Sequence, residues 1–135
     1  MAGAADSSSL LQIGSLQEQL FPGTGEVQLV EVKVELLDEV LRDFDLADRA
    51  LLKIDVQGYE LEVLKGALDS LDRFRWVYVE LSFVELYVGQ PLAHEVMGLL
   101  IAHGFGIVDA GTPTRSKGRT VQQDFLFERH PLRQG

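Results

Sequence analysis

The stretch Leu51 to Gly66 constrains this chain more than any other. It reads Leu-Leu-Lys-Ile-Asp-Val-Gln-Gly-Tyr-Glu-Leu-Glu-Val-Leu-Lys-Gly. An apolar-rich run, a glycine and then the helical spacing Leu61, Leu64, Leu68, Leu71 describe a buried strand feeding a helix. In open α/β sheets the point where a strand ends and its helix begins lines the ligand crevice, and Asp55 stands at that point. Side chains alternate along a strand, so Leu51, Lys53 and Asp55 share one face while Leu52, Ile54 and Val56 share the other. Charges inside a sheet need a partner or an exit to solvent. Two readings follow: Lys53 and Asp55 pair for structure alone, or the strand tip opens into a site that uses the carboxylate.

The flanking sequence builds an α/β domain around this unit. Glu26 to Glu35 alternates, with Val27 and Leu29 on one parity and Val30, Val32 and Val34 on the other, which predicts a strand with a bulge near Leu29. Leu36 to Phe44 carries helical spacing. Arg75 to Phe83 predicts a second strand, parallel to the first through a βαβ crossover, which places Glu80 at the same sheet end as Asp55. Pro91 opens a helix whose inner face is Val96, Leu99, Leu100 and His103, with Gly104 as its cap. Phe105–Asp109 and Val121–Arg129 are strands, paired antiparallel across the loop Ala110–Thr120. The expected sheet is mostly parallel, with an antiparallel strand at its C-terminal end.

Residues 1–25 read as a lead-in, either flexible or a short helix over Leu10–Leu20 capped by Ser7 or Ser9, and residues 26–135 as the domain. The 135 residues suffice for one core.

Composition removes several function classes. A net charge of −9 argues against nucleic acid, and Arg115, Lys117 and Arg119 read as a solvated loop. No run approaches the roughly 20 apolar residues of a membrane span, and no leader pattern opens the chain, which points to the cytoplasm and away from membranes. Without cysteine there are no disulfides, thiolate metal sites or cysteine nucleophiles. His94, His103 and His130 lack ligand spacing, so no metal site is expected.

Lys53-Ile54-Asp55-Val56-Gln57-Gly58-Tyr59-Glu60, followed by Leu61-Glu62-Val63-Leu64-Lys65-Gly66-Ala67, resembles the central signature of the FkbM-type methyltransferases. Leu37-Asp38, Val79-Glu80-Leu81 and Gln123-Asp124-Phe125-Leu126-Phe127 agree in order, and Ser7-Ser8-Ser9-Leu10-Leu11 with Phe21-Pro22 resembles the linker between that family's halves. The resemblance implies a Rossmann-like class I fold and transfer of a methyl group from S-adenosylmethionine to a hydroxyl of a sugar, polyketide or related metabolite. It also implies a first half with a strand and a turn of the kind Asp-x-Gly-Ala-Asn-x-Gly for the donor. Gly23-x-Gly25 follows no apolar strand and does not match that pattern. The chain is therefore expected to be the C-terminal half of such an enzyme, incomplete and inactive by itself.

The candidate residues follow from position. Asp55 holds the donor's ammonium end or takes the acceptor's proton, and Glu80 is the second candidate for base or acceptor binding. Gln57, Tyr59 and Glu60 are candidates for orienting a small-molecule hydroxyl acceptor. Each has a structural alternative: Glu60 complements a helix dipole, Tyr59 packs, and Gly58 serves the tight turn. The competing function is a non-catalytic interaction module. Half a sheet leaves an edge and apolar faces that invite homo-oligomerisation or pairing with a separate N-terminal half. A nucleotide-binding α/β domain of another class is a third option, weakened by the lack of a Gly-rich phosphate loop.

Overall fold

The computed structural model describes residues 8–25 and 29–130. In chain order it places helices α1 (Ser15–Leu20) and α2 (Leu37–Val40), strand β1 (Leu51–Ile54), helix α3 (Glu60–Lys65) and a 3₁₀ turn (Leu71–Arg73). Strand β2 (Trp76–Ser82), helix α4 (Ala93–Ala102) and strands β3 (Phe105–Ala110), β4 (Thr114–Ser116) and β5 (Arg119–Arg129) follow.

The sheet order is β1-β2-β5-β3, with β4 paired to β5. β1 and β2 are parallel, with Leu51 opposite Trp76 and Ile54 opposite Val79. The other pairings are antiparallel. The expectation of a mostly parallel sheet is thus corrected. β5 runs back between β2 and β3, so it converts both central contacts to antiparallel ones. The antiparallel β3–β5 pair stands as expected, with a register shift between Ile107 and Asp109.

Alternation divides the sheet into two chemically different faces. Ile54, Val77, Val79, Leu81, Phe125 and Phe127 form the apolar face, which packs with Leu64, Leu71, Val96 and Leu100 in the main core. Full burial of each such side chain contributes about 1.5–3 kcal/mol. Tyr78, Glu80 and Ser82 point the other way and stand opposite Leu126, Asp124 and Gln122 of β5.

A smaller cluster joins Leu86, Tyr87 and Val121 to Leu11, Ile13, Leu16 and Leu20. It docks the N-terminal segment beside the sheet, aided by the Ile13–Tyr87 bridge and by hydrogen bonds from Gly14 N to Leu86 O and Val88 N to Gln12 O, both 2.8 Å.

Several sequence expectations change. Residues 29–36 belong to no strand, and 26–28 lie outside the described residues. Leu29 is 84% exposed and Val30 69%. Alternation suits a strand only when a neighbour supplies hydrogen bonds and an apolar surface, and no described strand pairs with this stretch. The helix expected over Leu36–Phe44 is confined to α2. Its anchor is Asp38, whose two carboxylate oxygens accept from Asp69 N (3.1 Å) and Ser70 N (2.8 Å). Arg73 then holds the following turn through Leu41 O and Phe44 O.

α1 starts only at Ser15, after Gly14, with no side-chain cap. Ser9 is used elsewhere, and Ser7 lies outside the described residues. α4 begins after Leu92, so Pro91 precedes the helix rather than opening it. His103 is exposed and bonds its own helix through Leu99 O instead of facing the core. The predicted loop Ala110–Thr120 contains β4, which turns into β5 through Lys117 and Gly118, both at positive φ.

The β1–α3 turn is the tightest point. Gln57 has φ 50° and Gly58 φ 101°. A Cβ on Gly58 would also lie 3.2 Å from side-chain atoms of Leu11 and Tyr87. Gly58→Ala is expected to lower stability by about 1–3 kcal/mol, measured as a shift of the urea midpoint with an unchanged slope.

Candidate active site

Ile54 is the last residue of β1, and the chain then leaves the sheet through Asp55 and Val56 into the left-handed pair Gln57-Gly58. A non-glycine residue at positive φ costs of order 1 kcal/mol and persists only where its surroundings hold it. Three hydrogen bonds hold Gln57. Ser9 Oγ donates to its backbone oxygen at 2.6 Å, Tyr87 Oη donates to its Oε1 at 3.0 Å, and its Nε2 donates to Asp55 Oδ1 at 3.1 Å. Lys53 Nζ occupies the other carboxylate oxygen of Asp55 at 3.2 Å. Asp55 is thus aimed from two sides while remaining exposed.

Tyr87 is itself fixed. It is fully buried, and Gln90 Oε1 accepts from the backbone N–H groups of Leu86 (2.8 Å) and Tyr87 (3.1 Å). Burial pushes the Tyr87 phenol above its ordinary pKa, with Glu80, Glu60 and Asp55 adding to the shift. The hydroxyl therefore stays protonated and serves as a donor.

Asp55 and Glu80 meet in one open cavity of about 260 Å³, lined also by Lys53, Ile54, Tyr78 and Asp124. Glu80 stands directly opposite Asp124 across the β2–β5 pair, and Gln122 Nε2 donates to Glu80 Oε1 at 3.1 Å. Burial raises the Glu80 pKa above the usual carboxylate range. The charges of Asp124, Asp55 and Glu60 raise it further, and Lys53 opposes the shift. The Tyr78 phenol is raised first by its hydrogen bond to Asp124 and then by burial and the surrounding acids. The cavity therefore combines a half-buried carboxyl with a raised proton affinity and a second carboxylate engaged by a lysine and an amide.

The remaining sequence candidates are distributed differently. Glu60 turns back to accept from Gly58 N at 2.9 Å and is buried; burial raises its pKa, hydrogen bonds from Gly58 and Glu60 backbone lower it, and Asp55 raises it. It braces the turn and does not line the acidic cavity. Tyr59 faces a separate cavity of about 390 Å³ on the far side of the turn. Gln57 touches Asp55 without lining the acidic cavity.

Sequence reasoning missed Tyr78 and Asp124 as lining residues and Tyr87 as the donor to Gln57. Tyr78 was accessible through its shared parity with Glu80 on β2. Asp124 needed the position of β5 next to β2, and Tyr87 sits in a loop where no periodicity marks it.

A cationic group fits this cavity on its donor set, because two carboxylates face it along with Asp124 and a protonated tyrosine. The described residues show no glycine-rich turn after a strand for the donor's nucleotide end.

The chain is an α/β domain in which Asp55 and Glu80 lie toward the carboxyl ends of the adjacent parallel strands β1 and β2, the edge where ligand crevices form in such sheets. The family model for the methyltransferase FkbM domain matches residues 2–107, and the chain belongs to this family. It is 38% identical over 93 residues to the 31-O-demethyl-FK506 methyltransferase FkbM of Streptomyces tacrolimicus, covering 68% of this chain and 33% of that one. It is 34% identical over 71 residues to the 2-O-methyltransferase NoeI of Sinorhizobium fredii, covering 53% and 29%. It is 35% identical over 86 residues to the methyltransferase sdnD of Sordaria araneosa, covering 58% and 32%. The chain spans about a third of the length of these curated relatives. No solved structure matches it. Among the described residues no helix is long and apolar enough to cross a membrane.

Tyr87→Phe removes the donor to Gln57 Oε1 while keeping the ring. It is expected to lower stability by about 0.5–1.5 kcal/mol, measured by urea denaturation.

Proposed function

We propose that this domain takes part in methyl transfer from S-adenosylmethionine to a hydroxyl oxygen of a small-molecule acceptor. The observation that carries the reading is the convergence of Asp55 and Glu80 in one cavity at the carboxyl edge of the sheet. The names of two relatives, a 2-O-methyltransferase and a 31-O-demethyl-FK506 methyltransferase, support oxygen as the target.

S-adenosylmethionine supplies an electrophilic methyl carbon on a sulfonium. The chain's own task is to orient a hydroxyl oxygen against that carbon and to accept its proton. Glu80 is the proton acceptor. Its raised pKa gives it a stronger base than an ordinary carboxylate, and Gln122 holds one of its oxygens while the cavity leaves the other available. Asp55, aimed by Lys53 and Gln57, is the group that holds the donor's cationic end. Tyr78 and Asp124 keep a protonated phenol beside Glu80, suited to hydrogen-bonding the acceptor. The nucleotide end of the donor requires a glycine-rich turn that these 135 residues do not contain. The domain acts together with such a segment and is inactive without it.

A second reading, a non-catalytic interaction module, draws on the exposed apolar stretch from Leu29 to Leu36 and on β1, whose outer edge has no partner among the described residues. Homo-oligomerisation or pairing with a separate N-terminal half would cover both.

The test is transfer of labelled methyl to a panel of hydroxyl compounds by the chain joined behind a glycine-rich donor-binding half of the family. Glu80→Gln is expected to lower kcat by about 10²- to 10⁴-fold with donor affinity unchanged, whereas Asp55→Asn weakens donor binding. A joined, folded protein that transfers equally well with Glu80→Gln contradicts the assignment. One that binds the donor but methylates nothing favours the second reading.

A further inference from the structure

The sheet order β1-β2-β5-β3 leaves two outer edges among the described residues, β1 at one end and β3 at the other. The β1 edge belongs to the second reading above. The β3 edge lies across the sheet from it and is independent both of that reading and of the proposed reaction. We propose that the β3 edge is a homodimer interface: Phe105–Ala110 pairs antiparallel with the same strand of a second copy, about a twofold axis near Ile107.

The middle of this edge is apolar. Ile107 is 47% exposed and Val108 48%. Ile101 on α4, which packs against β3, is 58% exposed. An outer strand presents a row of unpaired N–H and C=O groups, and exposed apolar side chains beside them favour a partner strand. No lysine or proline, the residues that commonly block such an edge, occurs in Phe105–Ala110.

The two ends of the edge differ in charge. Asp109 is exposed near the C-terminal end; its Oδ1 accepts from Ala110 N at 2.8 Å, and its Oδ2 has no partner among the described residues. At the N-terminal end the exposed His130 ring lies over Gly106, in the space a Cβ would need. Arg129 stacks there on Phe105, 5.5 Å from the ring centroid. Glu128, opposite Gly106, is already engaged by Arg75. An antiparallel pair about Ile107 brings Asp109 of each copy beside His130 and Arg129 of the partner subunit, and the twofold axis makes that contact twice. Parallel pairing would instead set acid against acid. An edge complementary to itself under a twofold axis selects a second copy of this chain as its occupant.

The register shift between Ile107 and Asp109 limits the assembly. It inserts Val108 as a bulge, which twists the strand and shortens the stretch able to pair. A short, twisted edge suits a closed pair and opposes an open stack of sheets.

The experiment is sedimentation velocity on the 135-residue chain from about 10 to about 500 µM, and the expected result is a concentration-dependent dimer. Val108→Lys is expected to weaken dimerisation at least about tenfold. His130→Asp sets an acid against Asp109 and is expected to weaken it about tenfold. Combining Asp109→His with His130→Asp exchanges the two ends and is expected to restore the dimer. Leu51→Lys, on the β1 edge, is expected to leave it unchanged. If Val108→Lys does not fold, amide exchange in the wild-type chain carries the test: the amides of Phe105–Ala110 slow as concentration rises, and those of Leu51–Ile54 do not. A folded chain that stays monomeric throughout, or a dimer broken by Leu51→Lys and not by Val108→Lys, overturns the proposal. A double variant no stronger than His130→Asp alone overturns it as well.

Discussion

The left-handed turn at Gln57-Gly58 is the constraint on which the rest of the site depends. It ends β1, starts α3 and sets the direction of Asp55. Its conformation is unfavourable for Gln57 alone and is maintained by groups distant in sequence: Ser9 on the backbone oxygen, Tyr87 on the side-chain oxygen and Asp55 on the side-chain nitrogen. The N-terminal segment is therefore part of the site's support. Ser9 Oγ also accepts from Leu11 N at 3.0 Å, so one hydroxyl ties that segment to the turn. Gly58 completes the arrangement because Leu11 and Tyr87 pack where its side chain would be.

The second determinant is the unequal chemistry of the sheet's two faces. β2 sends Val77, Val79 and Leu81 into the core and Tyr78 and Glu80 toward the cavity. β5 repeats the division with Phe125 and Phe127 against Asp124. Because β5 lies between β2 and β3, Asp124 is brought opposite Glu80 and raises its proton affinity. The antiparallel insertion thus shapes the cavity: without it Glu80 would lack its acidic neighbour and its amide partner Gln122.

Much of this was legible from residues 51–83. Period-two apolar runs around a glycine and a helical stripe specify strand, turn, helix and strand, and they correctly put Asp55 and Glu80 at one sheet end. The family signature lies in the same stretch and was recovered by comparison. The alternating segment from Glu26 to Glu35 misled because periodicity reports what a strand would need and not whether a neighbour exists to pair with it. The same limit hid Asp124, whose role comes from strand order. Tyr87 and Gln90 were hidden because buried loop residues follow no period, although their hydrogen bonds shape the turn. Tyr59 and Glu60 are adjacent in sequence, yet the start of α3 sends one to the far cavity and folds the other back onto Gly58.

The central claim is that Glu80 is held as a carboxyl of raised proton affinity beside Asp55 and Asp124. The most direct measurement is an NMR titration of the Glu80 side-chain carboxyl in the wild-type chain and in Asp124→Asn. The account predicts a midpoint above the ordinary glutamate value of 4.5 in the wild type, and a lower midpoint in the variant as one of the charges that raise it is removed. A wild-type midpoint at or below the ordinary value, or one unaffected by Asp124→Asn, would contradict it.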